Sequence, residues 1–265
     1  MSGAPLVVIA AGGTGGHVFP AEALAAELKA RGCRLVVVTD RRGGQALRGA
    51  LAEAEPHFIR AGGIAGKSLG GVLKSAPELA VGFVQAWSLL KRLAPKAVIG
   101  FGGYAAMPTM MAATYAGFAT AIHEQNGVLG RANRLLATRV RKIGTSFAAI
   151  RHLTPELNAK VVHTGMPVRP AVTALRSSAY ESPVAGGPIR LLVTGGSQGA
   201  RVFSKVVPEA VARLPEALRK RLHLVQQCRP EDLEAARAIY DRIGMKPTLS
   251  SFFTDLPERL ADAHL

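Results

Sequence analysis

The sequence contains the same strand, glycine turn and helix pattern twice, once in each half of the chain. PLVVIAAGGTGGHVF begins at Pro5, and IRLLVTGGSQGARVF begins at Ile189. In both segments an apolar run ends in two adjacent glycines, and a helix-like stretch with Val-Phe in its first turn follows. A buried strand that leads into a helix is the repeating unit of parallel sheets covered by helices. The repetition therefore predicts two doubly wound α/β domains of the Rossmann-like type.

Other short apolar runs alternate with helix-like segments in the same way. After a helix predicted at 20–31, further strands are expected, together with the two above, at 34–40, 57–61, 96–101, 119–124, 142–147, 160–165, 222–226 and 248–253. A stretch rich in Pro, Ser, Gly and Ala interrupts the pattern and is typical of a linker. We therefore expect a first domain at 1–165, a linker at 166–188 and a second domain at 189–265.

The second region contains fewer strands than a complete parallel domain. Three strands are predicted there, whereas open sheets usually contain about four to six. A further apolar run is expected to begin at ADAHL, where the sequence stops. The pattern predicts an incomplete second sheet and a chain that is truncated at its C-terminal end.

The charge distribution points to an anionic partner. The net charge is +15, and residues 57–155 contain twelve Lys and Arg but only two acids, Glu78 and Glu124. Aromatic residues make up only 5% of the chain, which is few for a surface that stacks nucleic-acid bases. Anionic lipid or a phosphorylated small molecule fits the charge as well as nucleic acid does.

The remaining bulk features favour a reduced protein without a membrane span. Cys33 and Cys228 are far apart in the sequence, so neither a disulfide framework nor a cysteine-based zinc site is indicated. The N-terminus lacks the basic region of a signal peptide. The uncharged segment 97–122 is long enough to cross a bilayer, but glycines and a proline divide it. We expect this segment to form two buried strands and a helix.

The first glycine loop, GGTGGH, is a candidate ligand site. A helix N-terminus presents unpaired N–H groups, and glycines allow close approach, so Thr14, Gly15 and Gly16 are placed to bind a phosphate or a sugar edge. His17 follows at the mouth of the loop, where the helix dipole is expected to lower its pKa. A nicotinamide site is an alternative because Asp40 ends the second strand, but Val18 stands where that fingerprint needs glycine.

Polar residues also follow later strands of both predicted sheets. HEQN at 123–126 lies at a strand end, and parallel-sheet ligands bind at such edges. Arg169 lies in the linker and Ser197 in the second glycine loop, where both could contact a diphosphate. The sequence contains no DxD, so helix N-termini rather than a metal ion would neutralise that diphosphate.

The segment after the third strand supports two further hypotheses. GGIAGKS at 62–68 is close to a P-loop, but Ala61 occupies the position of its first glycine, so ATP binding is disfavoured. Apolar and basic residues then alternate as they do in helices that enter a membrane interface. An ordinary amphipathic surface helix explains the same pattern equally well. The residues of this predicted membrane patch are Ile64, Lys67, Leu69, Leu73, Lys74 and Trp87.

Five motifs, taken together, resemble a known family. They are GGTGGHVFPA, GFGGYAAMP, HEQNGVLGRANR, GMPVR and GGSQGAR, and their order and spacing are similar from end to end of this chain. The set resembles the MurG family of peptidoglycan glycosyltransferases. The resemblance implies a GT-B fold, with two Rossmann-like domains and the active site in the cleft between them. It also implies inverting, metal-independent and cofactor-independent transfer of N-acetylglucosamine from UDP-GlcNAc to the 4-hydroxyl of lipid I.

The resemblance also assigns roles to residues. It implies that Thr14, Gly15, Gly16 and Asn126 contact donor or acceptor, that Arg169 and Ser197 bind the donor, and that Phe253 lies near the uracil. His17 is the implied general base and Glu124 a second candidate, and the sequence leaves the choice between them open. The family's membrane patch falls on 64–87, which implies a peripheral position on the cytoplasmic face of the bacterial inner membrane and an anionic lipid partner, with no nucleic acid.

Two alternatives to full transferase activity stay open. The family's second glycine-rich loop, its ribose-binding acid and its remaining C-terminal strands would follow ADAHL, so weak or no transfer is expected from residues 1–265. The chain could then act as a membrane-docking, acceptor-binding module without donor chemistry. A nicotinamide-dependent oxidoreductase is the less favoured alternative, and it would depend on Asp40.

Overall fold

Seven parallel strands form the sheet of the first of two units in the computed structural model. The chain divides into residues 1–169 and 170–265, a boundary that falls inside the segment predicted as a linker. The structure describes residues 3–13, 15–45, 47–61, 69–196 and 200–265, and for 69–76 it describes the backbone alone. The strands of the first unit are β1 Leu6–Ala10, β2 Arg34–Thr39, β3 Glu55–Phe58, β4 Ala97–Gly100, β5 Thr120–Glu124, β6 Lys142–Thr145 and β7 Val161–His163.

The order of these strands defines the place where a ligand can bind. Across the sheet the order is β3-β2-β1-β4-β5-β6-β7, and every pairing is parallel. The chain reverses its direction across the sheet between β1 and β4. In open parallel sheets the crevice beyond the carboxyl ends of such neighbouring strands is the usual ligand site.

Helices cover both faces of this sheet. The helices of the first unit are α1 Gly15–Ala30, α2 Arg41–Gly44, α3 Gly49–Ala52, α4 Leu69–Leu93, α5 Gly103–Tyr115, α6 Arg131–Ala137 and α7 Pro155–Asn158. Alternate strand residues face opposite sides, so Val8 and Val36 pack in one core, and Ile9 and Val37 pack in the other. The first core includes residues of α4, α5 and α6, and the second includes residues of α1 and α3.

Two of the element boundaries that differ from the sequence prediction involve prolines. β3 begins at Glu55 rather than at 57. It is an edge strand, so one of its sides has no neighbouring strand, and Pro56 can lie in it without the loss of a sheet hydrogen bond on that side. α1 begins at Gly15 rather than at Pro20. Pro20 is the sixth residue of this helix, so its missing N–H removes only one of the helix's backbone hydrogen bonds.

The uncharged segment 97–122 is core, as predicted. It forms β4, α5 and the start of β5, and side chains such as Met110 and Ile122 are fully buried. Among the residues that the structure describes, no helix is both long and apolar enough to cross a membrane.

The second unit contains a smaller parallel sheet of the same type. Its strands are β8 Ile189–Val193, β9 Leu222–Gln227 and β10 Thr248–Ser250, in the order β10-β9-β8. Its helices are α8 Pro170–Thr173, α9 Arg201–Ala212, α10 Glu216–Arg219, α11 Leu233–Arg242 and α12 Leu256–Asp262, with 3-10 turns at Ala174–Ser177 and Pro230–Asp232. Residues of α9 and α11 pack on one face around Leu224 and Tyr240. The predicted α/β class with two separate parallel sheets is confirmed.

The final residues pair with β8 on the edge opposite β9. His264 N donates to Arg190 O at 2.8 Å, and Leu192 N donates to Leu265 O at 2.8 Å. Within ADAHL, Ala261 and Asp262 therefore end α12, and the last residues hydrogen-bond to β8.

Candidate active site

The glycine turn after β1 is built from two glycines with different tasks. Gly12 is closely packed, because a Cβ there would lie 2.6 Å from Thr39 Oγ1 and 2.8 Å from Ala105 Cβ. Gly13 has φ +92° and open space around it, so only glycine adopts its conformation without strain. α1 begins directly afterwards and directs its unpaired N–H groups to the carboxyl edge of the sheet. Gly15 and Gly16 form its first residues, whereas Thr14 lies outside the described residues.

His17 lies at the point where the chain reverses direction between β1 and β4. Its ring packs against the turn after β4, since a Cβ on Gly102 would lie 3.4 Å from Cδ2 and one on Gly103 would lie 3.5 Å from Nδ1. Burial lowers the pKa of His17 below its ordinary value, and the negative charge of Glu124 opposes this in part. The sequence predicted the lower pKa but attributed it to the helix dipole, whereas burial is the main cause. At neutral pH His17 is therefore an uncharged imidazole that can accept a proton.

Glu124, at the end of β5, is a buried carboxylate with donors on both oxygens. Oε1 accepts from the N–H of Asn126 at 3.0 Å and from its Nδ2 at 3.1 Å. Oε2 accepts from Gly130 N at 2.9 Å and from Asn133 Nδ2 at 2.9 Å. The side chain is only 2% exposed. Four hydrogen bonds hold the carboxylate in place.

Asn133 is a site residue that the sequence reasoning missed. Besides Glu124, its Nδ2 reaches His123 O at 3.2 Å, and its side chain borders the Gly102 turn that contacts His17. Asn133 lies on the buried face of α6 together with Leu136 and Ala137. A polar residue at an apolar position of a helix was the available signal, because buried amides are retained where they can form hydrogen bonds.

His123 connects β5 to the segment that follows β7. Its Nε2 lies 3.2 Å from Gly165 O and 3.2 Å from Thr164 Oγ1, while Nδ1 lies 3.3 Å from Gln125 Nε2. Because a carbonyl can only accept, we assign the proton to Nε2, which leaves Nδ1 to accept from the amide. Burial lowers the pKa of His123. The polar run predicted at this strand end is therefore a connected network around Glu124.

Arg169, the last residue of the first unit, lies against α1. Its guanidinium carbon is 4.5 Å from the ring centroid of Phe19, a cation–π distance. The residue is half-buried. The structure thus places Arg169 beside the helix that carries His17.

The second unit has a polar edge of its own at the carboxyl ends of its strands. Gln227 Oε1 accepts from Thr194 Oγ1 at 3.0 Å and from Gly195 N at 3.1 Å, and Gln227 Nε2 donates to Ser251 O at 3.0 Å. Phe253 follows two residues later and is half-buried, with Arg259 positioned 4.5 Å from its ring centroid. Gln227 therefore connects the second glycine turn to the segment that leads to Phe253. Ser197 lies outside the described residues.

The residue on which the nicotinamide alternative depended is engaged elsewhere. Asp40 Oδ1 accepts from Gly43 N at 2.6 Å and caps α2, and its other oxygen lies 3.5 Å from Arg42 Nη2. Gly43 in turn packs closely on Gly12. Asp40 therefore acts as a helix cap in this fold. The P-loop-like segment 62–68 lies outside the described residues.

The predicted membrane patch is described only in part. Ile64 and Lys67 lie outside the described residues, as do the side chains of Leu69, Leu73 and Lys74. Trp87 is half-buried against the core, and Lys91 Nζ lies 5.4 Å from its ring centroid. In the part of the chain that the structure describes, His, Cys, Asp and Glu side chains form no cluster of three or more that could hold a metal ion.

Comparison with known proteins identifies what this chain resembles. The glycosyltransferase family 28 N-terminal domain matches residues 7–145, and the family 28 C-terminal domain matches residues 190–265. The chain is 61% identical over 261 residues to the UDP-N-acetylglucosamine--N-acetylmuramyl-(pentapeptide) pyrophosphoryl-undecaprenol N-acetylglucosamine transferase of Paramagnetospirillum magneticum, which covers 98% of this chain and 70% of the relative. The protein of the same name from Rhodospirillum rubrum is 56% identical over 263 residues, 99% of this chain and 67% of the relative.

Solved structures agree with this similarity. The crystal structure of Acinetobacter baumannii MurG matches with a TM-score of 0.68 and 27% identity, over 98% of this chain and 71% of that one. A UDP-GlcNAc 2-epimerase from Neisseria meningitidis matches with a TM-score of 0.59 at 13% identity, over 97% of this chain and 74% of that one, which shows similarity of fold alone. The chain thus spans about 70% of the length of the first of these relatives.

Proposed function

Because the chain belongs to glycosyltransferase family 28 and shares the GT-B fold, we propose that it transfers N-acetylglucosamine from UDP-N-acetylglucosamine to N-acetylmuramyl-(pentapeptide) pyrophosphoryl-undecaprenol, the lipid I of peptidoglycan synthesis. The names of the two relatives above supply these substrates. The observation that carries the reaction class is the position of His17, which burial keeps uncharged and on which Glu124 acts, where the chain reverses direction across the first sheet.

The proton of the attacking hydroxyl goes to His17. A sugar hydroxyl is a weak nucleophile unless a base removes its proton in the transition state. His17 is available for this because burial keeps it neutral, and the nearby charge of Glu124 stabilises the imidazolium that forms. Glu124 itself already accepts four hydrogen bonds, so its role is to position neighbouring groups and provide negative charge. This division of roles favours His17 over Glu124 as the base.

The bond changes are those of a direct displacement with inversion. The 4-hydroxyl oxygen of the acceptor forms a bond to the anomeric carbon while the bond from that carbon to the diphosphate oxygen breaks. UDP leaves with the electron pair, and Arg169 together with glycine-loop N–H groups stabilises its charge. We assign Thr14, Gly15, Gly16 and Asn126 to contacts with donor or acceptor, Ser197 to the donor, and Phe253 to the uracil.

A single-turnover transfer assay tests the function and the base. The protein is mixed in excess with radiolabelled UDP-GlcNAc and lipid I, so that even weak transfer becomes measurable. His17→Ala should lower the rate by about 10²- to 10⁴-fold. The control is His57→Gln, since His57 lies on the edge strand β3 and pairs with Glu55. A rate within threefold of wild type for His17→Ala would show that His17 is not the base.

A second candidate function is an acceptor-binding module that docks on a membrane without donor chemistry. It is favoured by the small second sheet, which has three named strands in the described residues, whereas the first unit has a seven-stranded sheet and the hydrogen-bond network around Glu124. Calorimetry with UDP-GlcNAc separates the two candidates. Measurable affinity supports the transferase, whereas vesicle and lipid I binding without nucleotide affinity supports the module.

We infer further that the exposed surface of α4 and α5 contacts the anionic inner face of the bacterial plasma membrane, where the protein is peripheral. Val81, Val84 and Tyr115 are 40%, 65% and 58% exposed. Phe83 lies between the Trp87 and Tyr115 rings, at 5.8 Å and 6.2 Å between centroids. Two cations border these rings, Lys91 over Trp87 and Arg139 over Tyr115. Exposed apolar groups flanked by cations are suited to an anionic lipid interface.

Flotation with liposomes tests this surface. Val84→Glu should reduce binding to vesicles that contain phosphatidylglycerol, because a carboxylate would enter the apolar interface next to anionic lipid. Val202→Glu, at an exposed valine of α9 in the second unit, is the matched control. Equal binding of Val84→Glu and wild type would show that this surface does not contact the membrane.

A further inference from the structure

The Arg169 guanidinium lies where a positive charge is electrostatically unfavourable unless other groups compensate for it. Its guanidinium lies over Phe19, a residue near the start of α1. A helix N-terminus carries about half a unit of positive charge, which repels a nearby cation. The Phe19 ring attracts the cation through its face, but an additional negative group is expected close by.

Glu22, one turn after Phe19 on α1, supplies that negative charge. Arg169 and Arg48 are the two cations that act on its carboxyl group, and the effect of Arg169 is the larger. Their effect opposes burial, which raises the pKa of Glu22 above its ordinary value. Phe19 and Glu22 are three positions apart and therefore lie on the same side of the helix.

The carboxylate of Glu22 is enclosed by its surroundings at a cost in free energy. Its Oε2 is fully buried and has no hydrogen-bond partner among the described residues. A Cβ on Gly49 would lie 2.3 Å from Oε1, and Gly49 has φ +49°, so the backbone closely encloses the carboxylate. A buried carboxylate oxygen without a hydrogen bond costs free energy and needs an explanation. Counter-charge for Arg169 provides one.

We propose that Glu22 is a positioning residue that, together with the ring of Phe19, holds the Arg169 guanidinium against the first turns of α1 before the donor binds. The inference rests on the proposed function, in which Arg169 contacts the donor diphosphate. Arg169 is the last residue of the first unit, and an arginine without such a hold would sample many rotamers. When Arg169 is held on the helix that carries His17, its contact with the diphosphate has a fixed position relative to the base. Less conformational entropy is then lost when the donor binds.

Nuclear magnetic resonance of labelled arginine side chains tests the hold without any substrate. In the wild-type chain the ring current of Phe19 should shift the Arg169 side-chain signals upfield, and Arg169→Lys identifies them. Glu22→Gln, which has nearly the same shape, should move these signals toward their positions in an unfolded chain. Glu27→Gln, on the exposed side of the same helix and paired with Arg31, should leave them in place. An unchanged upfield shift in Glu22→Gln, with the fold intact by Trp87 fluorescence, would overturn the proposal.

Calorimetry with UDP separates this inference from the proposed function. Glu22→Gln should weaken UDP binding by about fivefold, the scale of one partly exposed charge pair, and Glu22→Asp by less. Arg169→Ala should weaken it more. If Arg169→Ala has no effect, or if the wild-type chain has no UDP affinity, the proposed donor role of Arg169 is wrong. The resonance shifts would still show whether Glu22 holds the Arg169 guanidinium in place. If Arg169→Ala weakens binding and Glu22→Gln does not, positioning by Glu22 is wrong.

Discussion

The two glycine turns of this protein share one backbone design. After β1, Gly12 is closely packed and Gly13 has φ +92° in open space. After β8, a Cβ on Gly195 would lie 2.0 Å from Ala200 N, and Gly196 has φ +78° in open space. In each unit the first glycine lets the chain pack closely, and the second provides the left-handed conformation that turns it toward the next helix.

The side chains around the two turns differ in kind. Beside the first turn lies His17, which can accept a proton, and the negative charge of Glu124 acts on it. The second is tied by the neutral amide of Gln227, and the neighbouring Gln226 accepts from Tyr240 in the core. One backbone design therefore supports a site with charge chemistry in the first unit and a neutral hydrogen-bonding edge in the second. This difference is what the proposed division into acceptor activation and donor binding requires.

The largest expected effect in this comparison comes from Glu124→Ala. The change leaves four donors without their acceptor, the buried amide of Asn133 and three partly buried N–H groups, and should lower the free energy of unfolding of the first unit by about 3–5 kcal/mol. Trp87 is the single tryptophan of the chain and lies in the first unit, so its fluorescence during urea unfolding reports this unit.

The control for that experiment is Glu27→Ala. Glu27 is exposed and forms only a surface pair with Arg31, so a change below about 1 kcal/mol is expected. If Glu124→Ala also changes stability by less than 1 kcal/mol, the hydrogen bonds around Glu124 do not hold the edge of the first sheet.

A smaller effect is expected from adding a methyl group to the closely packed glycines. Gly195→Ala places Cβ against the backbone of Ala200 and should destabilise the second unit by about 2–3 kcal/mol. Gly12→Ala meets Thr39 Oγ1, which can rotate, and Ala105 Cβ, which moves only with its backbone, so a loss of about 1–2 kcal/mol in the first unit is expected. Hydrogen exchange read separately for each unit measures both values.

The matched control is Gly32→Ala, since Gly32 has positive φ but no atom near the added Cβ. It should cost only the conformational strain of about 1 kcal/mol. If Gly195→Ala costs no more than this control, close packing is not the reason for glycine at position 195.

The architecture could be predicted from the sequence because strand and helix periods are local signals. Alternating apolar runs and helical segments determine a parallel sheet, and the repeated glycine turn indicates a second one. The start of α1 could not be read, because Pro20 resembles a helix start although tertiary packing continues the helix back to Gly15. β3 was displaced by two residues, since only the finished sheet shows that Pro56 lies at an edge.

The site was only partly predictable, since partners are chosen by contacts between distant segments. Glu124 was visible as a polar residue at a strand end, His17 at the mouth of a glycine loop and Arg169 in the predicted linker. The holding roles of Asn133 and Glu22 depend on α6 packing against β5 and on Arg169 reaching α1, which no local pattern shows. The lower pKa of His17 was expected, but its main cause is burial against Gly102 and Gly103, a contact that exists only after folding.

The smallest expected effect is a dependence of stability on pH. It distinguishes the sheet edge of the first unit, which carries His17 and His123, from that of the second unit, which carries the amide of Gln227. Burial lowers the pKa values of His17 and His123 in the folded protein below the ordinary value of 6.5. Between that value and the lower folded values the unfolded chain binds more protons, so stability is full above about pH 6.5 and falls as the pH decreases. The urea midpoint of the Trp87 signal should therefore be lower at pH 5 than at pH 7, and the decrease should be smaller in His17→Asn. A midpoint that is constant or rises on acidification would show that these histidines are not kept neutral by burial, and the charge contrast between the two edges would then be lost.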